Sequence, residues 1–117
     1  MIWKRKYWTN LIPIDILVNC AGILSFSSVE KTSVEEWDKV LDVNLKGTFL
    51  CSQAVIDLMK EKKYGKIVNI SSCAAKNWFG RASVAYTVSK AGVSNFTIYL
   101  AKELAEYRIN VNAIHSR

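Results

Sequence analysis

Three short runs rich in β-branched residues set the strongest limit on what this chain folds into. They are Ile14-Asp15-Ile16-Leu17-Val18-Asn19, Lys66-Ile67-Val68-Asn69-Ile70-Ser71 and Ile109-Asn110-Val111-Asn112-Ala113-Ile114. The first two lack the strict apolar/polar alternation of a strand with one wet face and read as buried strands. The stretches between the runs are far too long for hairpins and carry helical periodicity. Strands that alternate with long helices are joined by right-handed crossovers and lie parallel in one sheet. The expected fold class is therefore α/β, with about three strands and two long helices.

The helices announce their own ends. Ser33 and Glu36 fit a capping box, in which each side chain reaches a main-chain N–H that the first helical turn leaves open. From there Trp37, Val40, Leu41, Leu45, Thr48, Ser52, Val55, Ile56 and Met59 recur at three- and four-residue steps, a single apolar or small-residue face that Gly65 is expected to stop. A loop of small and aromatic residues follows the second strand. A second helix then puts Val93, Phe96, Leu100 and Leu104 on one face. In open parallel sheets ligands bind beyond the carboxyl ends of the strands. Those ends here are Asn19-Cys20-Ala21-Gly22, Ser71-Ser72 and Ile114-His115-Ser116.

Composition removes several classes of function. At 117 residues, 50% apolar and 22% charged, the chain has the make-up of one globular domain rather than a disordered segment. Its net charge of +6 is concentrated in Lys4-Arg5-Lys6, flanked by Trp3, Tyr7 and Trp8, and in Lys60, Lys62, Lys63 and Lys66. The second group is expected to meet the negative end of a helix dipole. Neither makes the continuous basic stripe of a nucleic-acid binder. No apolar run approaches the ~20 residues of a membrane span, and no signal-peptide pattern is present, so a cytoplasmic protein without membrane contact is expected. Cys20, Cys51 and Cys73 have no metal-ligand spacing and read as reduced, buried thiols. His115 is the only histidine, which leaves little for a metal site or a histidine triad.

Tyr86 and Lys90 stand four residues apart at the start of the second helix, on one face. A phenol is a poor base near neutral pH, and a fixed ammonium beside it favours its ionised form. With a serine at a strand end nearby, the pair is a plausible proton-transfer device. The same chain carries Asp15-Ile16-Leu17-Val18-Asn19-Cys20-Ala21-Gly22, Asn44-Leu45-Lys46-Gly47-Thr48-Phe49, Gly65-Lys66-Ile67-Val68-Asn69-Ile70-Ser71-Ser72, Tyr86-Thr87-Val88-Ser89-Lys90-Ala91-Gly92 and Asn110-Val111-Asn112-Ala113-Ile114. In this order, over about residues 14 to 114, the sequence resembles the short-chain dehydrogenase/reductase family.

The resemblance implies part of a Rossmann-type doubly wound parallel sheet, and an oxidoreductase that interconverts a secondary alcohol and a carbonyl with NAD or NADP. It implies a catalytic set of Asn44, Ser72, Tyr86 and Lys90. Tyr86 would exchange the proton with the substrate oxygen, and Ser72 would hydrogen-bond that oxygen. Lys90 would hold the nicotinamide ribose, and Asn44 would kink its helix and hold a water that relays protons. Asn19, Ala21 and Gly22, with Tyr86 and Lys90, would line the cofactor side of the sheet. Trp78 and Phe79 are candidate substrate contacts, with loop packing as the equal alternative. The implied partners are a small alcohol or carbonyl and further copies of the chain, bound through the two long helices.

The sequence also departs from the family pattern. Residues 1–13 contain no G-x-G-x-x-G or equivalent, so they read as a segment outside the family and residues 14–117 as the central, catalytic part of the domain. After the third run, His115-Ser116-Arg117 stands where the family continues into Pro-Gly and a substrate-binding region. The interval from Ser72 to Tyr86 is one position longer than usual, and counting back from Tyr86 would select Cys73, but the ungapped strand favours Ser72. The other expectation is a truncated, inactive remnant or a partial gene product that serves at most as an oligomerisation or interaction module.

Overall fold

The computed structural model describes residues 14–75 and 82–116. Strands β1 (Ile16–Asn19), β2 (Gly65–Ser72) and β3 (Ile109–Ser116) form one parallel sheet in that order. Asn19 pairs with Asn69, and β2 runs beside β3 from Gly65 opposite Ile109 to Ser72 opposite Ser116. The expected α/β class with a parallel sheet is the observed one. The third strand runs beyond Ile114 and takes in His115 and Ser116, because both continue the ladder with β2.

Helices α1 (Val34–Leu41) and α2 (Gly47–Lys62) connect β1 to β2, and α3 (Val84–Leu104) connects β2 to β3. Ser33 caps α1, its hydroxyl accepting the Glu36 N–H at 3.0 Å. The periodic stripe predicts one continuous helix from there, but a π-helical turn, Asp42–Lys46, separates α1 from α2. In it the Gly47 N–H reaches back to the Asp42 carbonyl. The wider turn carries the fully buried Asn44, whose amide is hydrogen-bonded to the loop after β1.

Gly65 does not stop α2. Lys63 does, with φ 53° in the left-handed region, and Gly65 opens β2. Its missing side chain has a packing reason, since a Cβ there would lie 2.7 Å from Met59 Cγ and closer still to the sulfur. At the end of α2 the Lys62 ammonium donates to the Ile14 carbonyl at 2.7 Å and pairs with Asp15, tying the helix to the entry of β1.

Both crossovers advance in the same direction across the sheet, so right-handedness puts α2 and α3 on the same face. That face holds the core: Val55, Met59, Ile67, Leu100, Leu104, Ile109 and Val111. The sequence predicted buried strands, yet among the described residues the opposite face is uncovered, with Ile16, Val18 and Ile114 each more than half exposed. The cysteines differ from expectation too. All three are free thiols, but Cys20 and Cys51 are exposed and Cys73 is half-buried. No helix among the described residues is long and apolar enough to cross a membrane.

Candidate active site

The carboxyl ends of the strands meet the first turns of α3 and the π-helical turn. Helix α3 starts where it does because Ser83, in extended conformation, caps it and accepts the Tyr86 N–H at 3.0 Å. The Ser83 N–H donates to the Ser25 carbonyl at 3.0 Å, and the two serine hydroxyls bond to each other. The turn that carries half-buried Tyr86 is thus pinned to the loop after β1.

One turn on, Lys90 is only 5% exposed. Its Nζ donates to the Ile70 carbonyl at 2.9 Å and lies 5.9 Å from the Tyr86 ring centroid. The other two ammonium donors have no hydrogen-bond partner among the described residues. Burial pulls the Lys90 pKa below the ordinary lysine range, and attraction to Cys20 opposes that pull.

Gly22 faces the same point. A Cβ there would come within 3.3 Å of Lys90 Nζ and 3.5 Å of Asn44 Oδ1, so a glycine leaves the loop backbone open toward both groups. The Asn44 amide accepts the Ile23 N–H at 2.7 Å and donates to the Ile23 carbonyl at 3.0 Å and to Ser89 Oγ at 3.1 Å. The Ser89 hydroxyl in turn donates to the Tyr86 carbonyl at 2.7 Å. Asn44, Gly22, Tyr86 and Lys90 are therefore one connected group.

Ser72 ends β2 at 7% exposure, its hydroxyl accepting the Ala74 N–H at 3.2 Å. Cys73, the alternative by spacing, falls one residue later in the short helical turn Cys73–Ala75. Asn19 turns away from this group. Its amide donates to Ser52 Oγ at 3.2 Å and Asn69 Oδ1 at 2.8 Å, and Asn69 continues to Thr97 Oγ1 at 2.9 Å, a buried polar ladder under the sheet. Ala21 is exposed in the loop beside Gly22. Trp78 and Phe79 lie outside the described residues.

The sequence reading missed Ser83, Ser89 and the Ile70 carbonyl. Ser83 had a signal, a serine three residues before Tyr86 at the start of the helix. Ser89 and Ile70 had none, because their roles depend on which main-chain groups the tertiary fold brings to them.

Comparison with known proteins accords with this geometry. The family described as short chain dehydrogenase matches residues 5–116. A (2S)-((R)-hydroxy(phenyl)methyl)succinyl-CoA dehydrogenase subunit of Thauera aromatica is 49% identical over 102 residues, and an acetoacetyl-CoA reductase of an Acinetobacter strain is 46% identical over 102. Each alignment covers 86% of this chain and 40% of the relative, so the chain spans well under half of the proteins it matches. The crystal structure of a 3-oxoacyl-(acyl-carrier protein) reductase with bound NAD from Brucella melitensis superposes with TM-score 0.88 at 38% identity, over 91% of this chain and 43% of that one. With matching motifs in order, a matching fold and a family match over nearly its full length, the chain belongs to the short-chain dehydrogenase family.

Proposed function

We propose that this chain carries the proton-transfer centre of a nicotinamide-dependent oxidoreductase that interconverts a secondary alcohol and a carbonyl. The observation that carries the proposal is Lys90. A buried ammonium is costly unless something uses it, and among the described residues this one spends a single donor, on Ile70, while facing Gly22 and the Tyr86 ring. These groups suit the nicotinamide-ribose end of a dinucleotide. Glycine at position 22 keeps a side chain from crowding Lys90 Nζ, and the Lys90 donors without a partner among the described residues suit ribose hydroxyls. NAD or NADP would supply the hydride acceptor or donor.

The protein's share of the reaction is proton management. Tyr86 gives its proton to the carbonyl oxygen during reduction and takes it from the hydroxyl during oxidation. Lys90 stabilises the negative charge that develops on the Tyr86 oxygen, and Ser72 donates a hydrogen bond to the substrate oxygen. Asn44, linked to the Tyr86 turn through Ser89, holds the water that restores the proton from solvent. Exposed Phe49, Leu50, Val88, Ile98 and Tyr99 on α2 and α3 support association of copies through these helices.

The names of the similar reductases make acetoacetyl-CoA the first substrate to try. Loss of reduced-cofactor absorbance is the readout, with NADH and NADPH compared. Tyr86→Phe is expected to lower kcat at least ~100-fold. Equal rates for wild type and Tyr86→Phe would overturn the proposal.

A further inference from the structure

We infer that Ser71, Ser94 and His115 form a hydrogen-bonded clamp that positions Lys90. The inference rests on the oxidoreductase reading, in which the Lys90 ammonium meets the cofactor. Consecutive residues of β2 grip Lys90 at both ends. Its Nζ donates to the Ile70 carbonyl at 2.9 Å, and its own carbonyl accepts the Ser71 hydroxyl at 2.9 Å. Ser71 is fully buried and directly precedes Ser72, so one strand end sets the ammonium and the substrate-facing hydroxyl together.

Ser71 does not act alone. Its Oγ lies 2.8 Å from Ser94 Oγ, one turn beyond Lys90 on α3. The Ser94 hydroxyl also reaches the Lys90 carbonyl at 3.2 Å and lies 3.0 Å from His115 Nε2. His115 stands opposite Ser71 in the β2–β3 ladder, and the Ser116 hydroxyl donates to the Ser71 carbonyl at 3.1 Å. The ends of β2 and β3 thus converge on the Lys90 turn.

Counting protons shows what His115 contributes. Each serine has one hydroxyl proton, and Ser94 has three neighbours to serve with it: Lys90, Ser71 and His115. If Nε2 carried no proton, Ser94 would have to donate to the ring and would turn its proton away from Ser71 and the Lys90 carbonyl. With a proton on Nε2 the ring donates to Ser94, and both hydroxyls stay directed at the Lys90 turn. This tautomer follows from the bonding pattern around it. The sole histidine of the chain is therefore a positioning residue two hydroxyls away from the chemistry.

The test compares Ser94→Ala and His115→Leu, which break the clamp, with Ser94→Thr and His115→Gln, which keep a hydroxyl and a side-chain donor. Two readouts are independent of turnover: the titration midpoint of the Lys90 ammonium, followed by NMR of the lysine Cε groups in the cofactor-free chain, and the dissociation constant for NADH, followed by fluorescence. The disrupting pair is expected to move the Lys90 midpoint upward by about half a unit or more as water gains access. NADH binding should weaken about tenfold, the loss of one hydrogen bond's worth of order. The conserving pair should restore both values. The clamp is overturned if the disrupting variants leave the Lys90 midpoint unchanged, or if Ser94→Thr behaves like Ser94→Ala. If wild type binds no NADH and its turnover is insensitive to Tyr86→Phe, the oxidoreductase reading fails instead, while the Lys90 midpoint still decides the clamp.

Discussion

Asn44 and Ile23 bond to each other in both directions across 21 residues of chain: the Ile23 N–H donates to Asn44 Oδ1 at 2.7 Å, and Asn44 Nδ2 donates to the Ile23 carbonyl at 3.0 Å. A side chain here does what a neighbouring strand would do, satisfying the main chain of a loop that has no sheet partner. The remaining amide proton goes to Ser89, and Ser89 to the Tyr86 carbonyl. One side chain therefore joins the loop after β1, the π-helical turn and α3.

Asn44→Ala strands the Ile23 N–H and carbonyl and removes a donor to Ser89 in a region where Asn44 itself is fully buried. The expected cost is about 2–4 kcal/mol, read as a fall in the midpoint of urea unfolding. A loss below about 0.5 kcal/mol would mean that water replaces the amide without penalty.

Gly65 and Met59 are in packing contact that no larger residue at position 65 allows. A Cβ would come within 3.0 Å of Met59 Cβ and nearer to Cγ, and Met59 has no exposed surface into which to move. Gly65→Ala should destabilise by about 1–3 kcal/mol through overpacking. Trimming the partner should recover part of this, so Gly65→Ala with Met59→Val should cost less than the two single changes added together. Strict additivity in urea unfolding would sink the explanation.

Lys63 and Arg108 hold φ of 53° and 59°, the left-handed region that side chains with a Cβ enter at a cost. Each closes a helical segment at a position where glycine would be unstrained. Lys63→Gly and Arg108→Gly should each raise stability by about 0.5–1 kcal/mol, the relief of strain less the added freedom of the unfolded chain. A fall in thermal midpoint for both variants would refute this.

The three strands were legible because β-branched runs in a strand–helix alternation have few other solutions, and Ser33 because its capping partner is three residues away. Tyr86 and Lys90 could be placed on one face from their spacing alone. What escaped was every contact whose second partner is a main-chain group brought in by the fold. The π-helical turn leaves no mark in the periodic stripe, because Asn44 still falls on the buried face, and only the family resemblance pointed to a kink there. Gly65 looked like a helix stop because glycine serves both to end helices and to admit close neighbours, and only the Met59 contact separates the two. Asn19 pointed to the cofactor loop by position, yet its amide is drawn under the sheet by Asn69, a partner 50 residues on.

Lys90 makes stability depend on pH in a direction that can be worked out. Burial lowers its pKa in the folded chain, whereas in the unfolded chain it titrates near the usual value of about 10.4. Between these two values the unfolded state binds more protons, so stability rises with pH across that window. Below it both states are charged and the full penalty of burying the ammonium is present; above it both are neutral and the penalty is gone. Lys90→Met lacks this dependence, because methionine has no proton to lose. The thermal midpoint of wild type minus that of Lys90→Met should therefore shift in favour of wild type as the pH rises toward the unfolded-state value of about 10.4. Attraction to Cys20 works against the shift by favouring the charged lysine. Cys20→Ser in both backgrounds should enlarge it, and a difference that stays flat or reverses with rising pH would show that the ammonium is not buried at a cost.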